Sequence, residues 1–403
     1  MRRIYQSVVT QHFTDCEQIL LLAGPRQVGK TTISLAAKEL ADPNNFVYLN
    51  WDEAKDMELI TRGSDAIAAR IGANILSTQK PLVIFDEIHK YLRWKKYIKG
   101  FYDHYKDKVR IIVTGSAKLD VYRKGGDSLM GRYFLYRIHP FSIAECITSK
   151  LPIKEIRAPQ PLDEKLFTAL WKFGGFPEPF LKQDERFHQR WKNLRLKQLF
   201  REDIRDLTQI QELSQMEVFA RLLKYQPSQL LSLTNLAQKA QVSVNTAKRW
   251  INTLESFYYC FLIRPWTKKI TRSLLKEPKI YLWDWADIED IGAKTENFVA
   301  AHLLKAVHFW TDYGFGDFQL HFLRDKEKRE VDFLVTKNDQ PWFLVEVKVS
   351  DTNLSKSLEV FQKQTEAKHA FQVVLNMDYV EADCFAENKP IVVPLKTFLS
   401  QLI

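Results

Sequence analysis

The sequence predicts an α/β protein that opens on a P-loop type parallel sheet, continues through a helical region, and closes on a second α/β domain. Three observations carry that expectation. Gly24-Pro25-Arg26-Gln27-Val28-Gly29-Lys30-Thr31 is a complete G-x-x-x-x-G-K-T loop. Pro81-Leu82-Val83-Ile84-Phe85-Asp86-Glu87 is an apolar run that ends in two carboxylates. From residue 1 to about 150, apolar runs alternate with helical stretches, the pattern of parallel strands joined by crossover helices.

The elements follow in order. Gln18–Ala23 reads as a buried strand entering the loop and Thr32–Leu40 as the helix leaving it, with its positive end toward bound phosphates. The two glycines let backbone N–H groups wrap phosphate oxygens, so Gly24 through Thr32 form the expected nucleotide cradle. Within it Lys30 reaches the β- and γ-phosphates and Thr31 holds Mg²⁺. Phe46–Asn50 is a second strand, and Ser64–Leu76 has helical apolar spacing at Ile67, Ala68, Ile71 and Ile75. The run to Glu87 has the form of a Walker B strand, buried on both faces because helices cover a parallel sheet. Asp86 at its end is expected to ligate Mg²⁺, and Glu87 to polarise the attacking water.

A further strand, Val109–Val113, ends in Thr114-Gly115-Ser116. Ser116 and Thr114 are candidates for sensing the γ-phosphate, although small residues at strand ends are also ordinary turn formers. Gly131–Ser142 reads as one more strand and its exit. There Arg132 is a candidate charge sensor, in cis or from a neighbouring subunit, against the simpler reading of a surface arginine.

At 403 residues the chain suits two to four domains. Its 45% hydrophobic and 27% charged residues are ordinary for a globular protein, and the formal charge of +10 favours a polyanionic partner. Cys16, Cys146, Cys260 and Cys384 stand far apart, so neither a disulfide framework nor a zinc cluster follows. No apolar stretch has the length of a membrane span, and a soluble, cytoplasmic protein is expected.

Lys150–Pro161 reads as a linker, with a helical domain over 151–226. Gly174-Gly175-Phe176-Pro177-Glu178-Pro179 interrupts it as a turn. Arg186–Arg205 is dense in basic residues, with Phe187, Trp191, Leu194 and Leu199 on the expected core face. Arg201 and Arg205 are candidates to contact phosphates or an adjacent ATP site. Residues 227–270 have the layout of a winged helix-turn-helix: a short helix capped by Thr234, a turn at Gln241-Val242-Ser243, a second helix over Val244–Leu254, and a strand or wing at Phe257–Ile263. Asn245, Thr246, Lys248 and Arg249 lie on its expected DNA-facing side; such modules also serve as protein-contact units.

Residues 271–403 form their own α/β pattern. Glu330–Val335 and Trp342–Lys348 read as adjacent strands, and alternation puts Glu346 and Lys348 on one face. Asp332 joins them if the strands pair, and Glu296, in a helix over Thr295–Val307, completes the cluster. Asp332 and Glu346 then become candidate ligands for a second Mg²⁺, with Lys348 stabilising phosphate charge. The plain alternative is charged residues on an exposed strand face.

These residues together resemble the prokaryotic AAA-type P-loop ATPases that carry a C-terminal DUF4143 region. The markers are GPRQVGKTT at Gly24–Thr32, LVIFDE at Leu82–Glu87, TGSAKL at Thr114–Leu119, GRYFLYRIHPFSIAE at Gly131–Glu145, GGFPEPFL at Gly174–Leu181, and EVDFLV followed by VEVKVS. The resemblance implies an ATPase core at 1–150, a helical and winged-helix middle, and a C-terminal fold similar to PD-(D/E)XK, restriction-endonuclease-like domains. Asp332, Glu346 and Lys348 match the nuclease motif, with Glu296 as its helix carboxylate; Val331 replaces the motif's proline. The leading expectation is an ATP- and Mg²⁺-dependent ATPase that binds and remodels DNA, as a monomer or a homo-oligomer. The alternatives are an ATP-gated DNA nuclease and a switch that binds a protein partner.

Overall fold

The computed structural model describes residues 1–41, 45–72, 80–115, 129–205, 212–267 and 276–403. The chain divides into two compact units: Met1–His139 with Ser149–Leu151, and Pro140–Thr148 with Pro152–Ile403.

The first unit is a five-stranded sheet. Its strands are β1 (Ile19–Ala23), β2 (Phe46–Asn50), β3 (Leu82–Asp86), β4 (Arg110–Gly115) and β5 (Tyr133–Arg137), in the order β2-β3-β4-β1-β5. Every pairing is parallel. All five residues of β1 and of β3 are buried, which is why both read as unbroken apolar runs. The edge strand β2 instead alternates, burying Val47 and Leu49. Helix α1 (Ile4–Asp15) precedes the sheet, and α2 (Lys30–Ala36) leaves the loop and tightens into a 3₁₀ turn at Ala37–Leu40. The helix expected over Ser64–Leu76 runs Ser64–Arg70 and closes at Gly72, which has a positive φ of 64°. Ile75, Leu76 and Ser116 lie outside the described residues.

The second unit holds the helices and a seven-stranded mixed sheet. Its strands are β6 (Cys260–Pro265), β7 (Lys279–Leu282), β8 (Phe318–Arg324), β9 (Glu330–Lys337), β10 (Gln340–Lys348), β11 (His369–Val374) and β12 (Pro390–Pro394), ordered β12-β11-β10-β9-β8-β6-β7. The strand expected as a wing is β6. It pairs with β7 antiparallel and with β8 parallel, so it is an interior strand of this sheet.

Two local expectations are corrected. The helix Leu233–Lys239 is capped by Ser232, whose hydroxyl accepts from Asn235 N–H, so Thr234 lies inside it. On the helix Glu185–Gln198, Leu194 is 51% exposed. Trp191 is buried as expected, and the inward face is completed by His188, Lys192 and Arg195, at helical spacing. Lys192 pairs with Asp287 at 3.0 Å, and Arg195 pairs with Asp284 at 3.2 Å while stacking 3.7 Å above the Phe176 ring. Part of the basic density in this segment is therefore internal.

Candidate functional site

The loop between β1 and α2 is shaped by close approach and by left-handed backbone. A Cβ on Gly24 would stand 2.4 Å from the carbonyl oxygen of Ile138, at the exit of β5. Gly29, the residue before α2, has φ 98°, and Gln27 has φ 64°. A buried arginine from the start of the chain braces the loop: Arg3 donates to Val28 O at 2.9 Å and to His139 O at 2.5 Å. Lys30 is buried, and its ammonium donates to the carbonyls of Gly24 at 3.0 Å and Pro25 at 2.9 Å. Arg26 and Gln27 are half-buried on the loop, Pro25 and Val28 are buried, and Thr32 is exposed on α2.

Beside the loop, β3 delivers Asp86, which is 3% exposed. Three hydroxyls converge on it. Thr31 donates to Oδ2 at 2.8 Å, Tyr48 donates to the same oxygen at 2.6 Å, and Thr114 at the end of β4 donates to Oδ1. Thr114, a candidate phosphate sensor beside Ser116, spends its hydroxyl proton on Asp86. Tyr48 was not foreseen; its only signal was its place on the strand neighbouring β3, where Asn50 aligns with Asp86. Burial and the Asp86 carboxylate hold the Tyr48 phenol well above its usual range. Glu87 leaves the strand at φ 55°. Burial raises its carboxyl pKa, against the charges of Lys30 and Lys90, which lower it.

Arg132 requires correction as a sensor in cis. It precedes β5, and Tyr133 aligns with Ile19 at the start of β1, whereas the loop follows the other end of that strand. Its guanidinium is bound to Asp103 at 2.6 and 3.1 Å. On β5 the arginine at the loop end is Arg137, which aligns with Ala23.

In the second unit, β9 and β10 run antiparallel with Phe333 opposite Val345, so Asp332 and Glu346 come next in line. Asp332 accepts from Val347 N–H at 2.9 Å, and Lys348 donates to Glu346 at 2.8 Å. Glu296 reaches the same place from the helix Ile291–Asp312. Two of the expected residues, Glu296 and Asp332, meet at a lysine that sequence reasoning missed, while Glu346 pairs with Lys348. Lys279 of β7, 3% exposed, stands 3.0 Å from Glu296, 2.6 Å from Glu330 and 3.3 Å from Asp332. Burial and the Asp332 charge raise Glu296 to about 8 and Glu346 to about 7. Burial alone would lower Lys279, but the surrounding carboxylates raise it well above the usual lysine range. Among the described residues, no group of three or more His, Cys, Asp or Glu is placed to hold a metal ion.

The helix Val244–Ser256 buries Ala247, Trp250, Ile251 and Leu254 and leaves Asn245, Lys248 and Arg249 exposed. Thr246 is half-buried and tied to the cap: its N–H donates to Ser243 Oγ at 3.0 Å and the two hydroxyls are 2.9 Å apart. Arg249 lies 3.9 Å from Glu212. Arg201 and Arg205 are exposed.

A parallel sheet with a glycine-shaped loop after β1, and a carboxylate at the end of β3 two places along the sheet, defines the P-loop class of α/β domain. The chain carries an AAA domain at its amino end, where residues 16–147 match that family model, and a DUF4143 domain of unknown function at 291–398. Residues 164–286 match a further domain of unknown function, DUF8612. An uncharacterized protein of Mycobacterium tuberculosis is 23% identical over 355 residues, covering 84% of this chain and 72% of its own. One of Methanocaldococcus jannaschii is 22% identical over 362 residues, covering 86% and 78%. AMPPCP-bound DnaA from Aquifex aeolicus overlaps 62% of this chain and 86% of its own at 14% identity, with a TM-score of 0.31. Among the described residues, no helix is long and apolar enough to cross a membrane.

Proposed function

We propose that the amino-terminal unit binds ATP with Mg²⁺ and hydrolyses it, and that the chain uses this cycle to bind and remodel DNA. The observation that carries the first part is the 2.8 Å hydrogen bond from Thr31 Oγ1 to Asp86 Oδ2. Two oxygens in cis positions on an octahedral Mg²⁺ at about 2.0–2.1 Å lie about 2.9 Å apart. Thr31 and Asp86 fit that ion with little movement. The ion would neutralise phosphate charge. Lys30 would exchange the neutral carbonyl acceptors of Gly24 and Pro25 for charged phosphate oxygens, turning ion–dipole contacts into ion pairs. Tyr48 and Thr114 hold the Asp86 carboxylate in one orientation. Glu87, made more basic by burial, is the group suited to draw a proton from water.

The DNA part rests on the formal charge of +10 and on the exposed Asn245, Lys248 and Arg249 of the second helix in a helix-turn-helix. Cutting of DNA at Asp332, Glu346, Lys348 and Glu296 is the second reading, supported by their convergence. A second Mg²⁺ does not fit there as the residues stand, since Lys279 already engages two of the carboxylates.

The test is ATP binding and turnover, with and without duplex, forked and single-stranded DNA. Lys30→Ala is expected to weaken ATP binding by about 1.5–3 kcal/mol, tenfold to over a hundredfold. Glu87→Gln should bind ATP yet turn over about 10²-fold or more slowly. Unchanged turnover in Glu87→Gln removes that residue from the reaction. Turnover indifferent to every DNA favours the protein-partner switch.

A further inference from the structure

We infer that Lys279 is the resident cation of the carboxylate cluster on β9, β10 and the helix Ile291–Asp312, and that its ammonium keeps divalent metal out. An ammonium has three N–H donors, and three carboxylates face this one: Glu296 at 3.0 Å, Glu330 at 2.6 Å and Asp332 at 3.3 Å. Most of the remaining capacity of these groups is also engaged. Tyr281 donates to Glu296 at 2.8 Å, Val347 N–H to the second oxygen of Asp332 at 2.9 Å, and Arg324 to the second oxygen of Glu330 at 2.9 Å. Lys348 takes one oxygen of Glu346. The other, Glu346 Oε2, is buried with no hydrogen-bond partner among the described residues, and Tyr281 and Lys279 meet Glu296 on one and the same oxygen.

Size and tethering point the same way. Oxygens set 2.6–3.3 Å from a nitrogen enclose a space too wide for Mg²⁺, which holds its ligands at about 2.0–2.1 Å. A metal would therefore have to draw the carboxylates inward and push Lys279 aside. The lysine is fixed to β7 by the chain, so its effective concentration at the cluster does not fall on dilution. The cluster is an internal ion-pair hub joining β7, β9 and the helix that carries Glu296.

The test uses nucleotide-free full-length protein titrated with Mn²⁺, with bound ion read by electron paramagnetic resonance and stability by thermal melting. Any Mn²⁺ held at the loop site is unaffected by Asp332→Asn, so dependence on Asp332 identifies the cluster. Wild type and Asp332→Asn are expected to give the same isotherm. Lys279→Met should gain a site that the double variant Lys279→Met/Asp332→Asn lacks, and Mn²⁺ should raise its melting temperature but not that of wild type. Wild-type Mn²⁺ binding that Asp332→Asn weakens tenfold would overturn the inference. So would a folded Lys279→Met that gains no site. If Lys279→Met does not fold even with Mn²⁺, the comparison of wild type with Asp332→Asn decides alone.

Discussion

Gly24 and Lys279 mark two kinds of demand on a single residue. The loop motif asks for glycine so that backbone can approach phosphate, but here Gly24 is also pressed against the chain itself. Its missing Cβ would lie 2.4 Å from Ile138 O, a backbone atom that cannot swing away. Gly24→Ala should therefore cost about 1–3 kcal/mol in urea unfolding, before any nucleotide is added. A variant as stable as wild type would show that β5 yields freely at Ile138. The loop residues Gly24–Thr32, Asp86 and Glu87 were legible because their chemistry needs a fixed local spacing. Lys279 was not, because nothing adjacent to it in sequence distinguishes it from a surface lysine. Its carboxylates come from positions 296, 330 and 332, and only strand pairing and helix packing assemble them.

At the scale of elements, apolar periodicity placed β1 to β4 closely and described the edge strand β2 well. Longer helices were harder, because their inward faces mix polar and apolar groups. The helix Ile291–Asp312 buries His302 and Lys305 along with Phe298, Leu303 and Trp310. His302 is held neutral: Nδ1 lies 2.7 Å from Phe298 O, so it carries the proton, and Nε2 accepts from Ile143 N–H at 3.1 Å. The rings of Trp285 and Phe298 pack on it, and the charge nearest is Lys305, itself paired with Glu145. Burial first, and Lys305 to a smaller extent, lower its pKa to about 3. The unfolded chain takes up this proton near pH 6.5 and the folded chain does not, so stability should fall as pH drops from 6.5 toward 3. By pH 5 the loss is about 2 kcal/mol, read as a drop in melting temperature relative to pH 7. His302→Gln should lose that share of the slope; an unchanged slope would assign it to other groups.

Charge acts at the scale of the whole molecule. The excess of ten positive charges is a property of the entire chain, while the proposed contact face contributes only Lys248 and Arg249 to it. If DNA binds there, log K should fall linearly with log salt at about −0.9 for each phosphate neutralised. Lys248→Ala with Arg249→Ala should then flatten the slope by about two. A slope unmoved by the pair would place the DNA elsewhere, the exposed arginines of the helix Glu185–Gln198 among the candidates. The chain also passes between its compact units more than once. Pro140–Thr148 belongs with the second, where Glu145 is fully buried against Lys305, 160 positions later.

The sequence alone determined the loop, the carboxylate strand, the α/β class and the domain families at both ends, because each is written in contiguous residues with a fixed period or spacing. Tertiary structure decided which carboxylates meet, that Lys279 stands among them, that Arg132 sits at the far end of its strand, and that β6 belongs to the larger sheet. Those outcomes depend on pairing between distant segments, and burial turns such pairings into bonds whose partners no local pattern names.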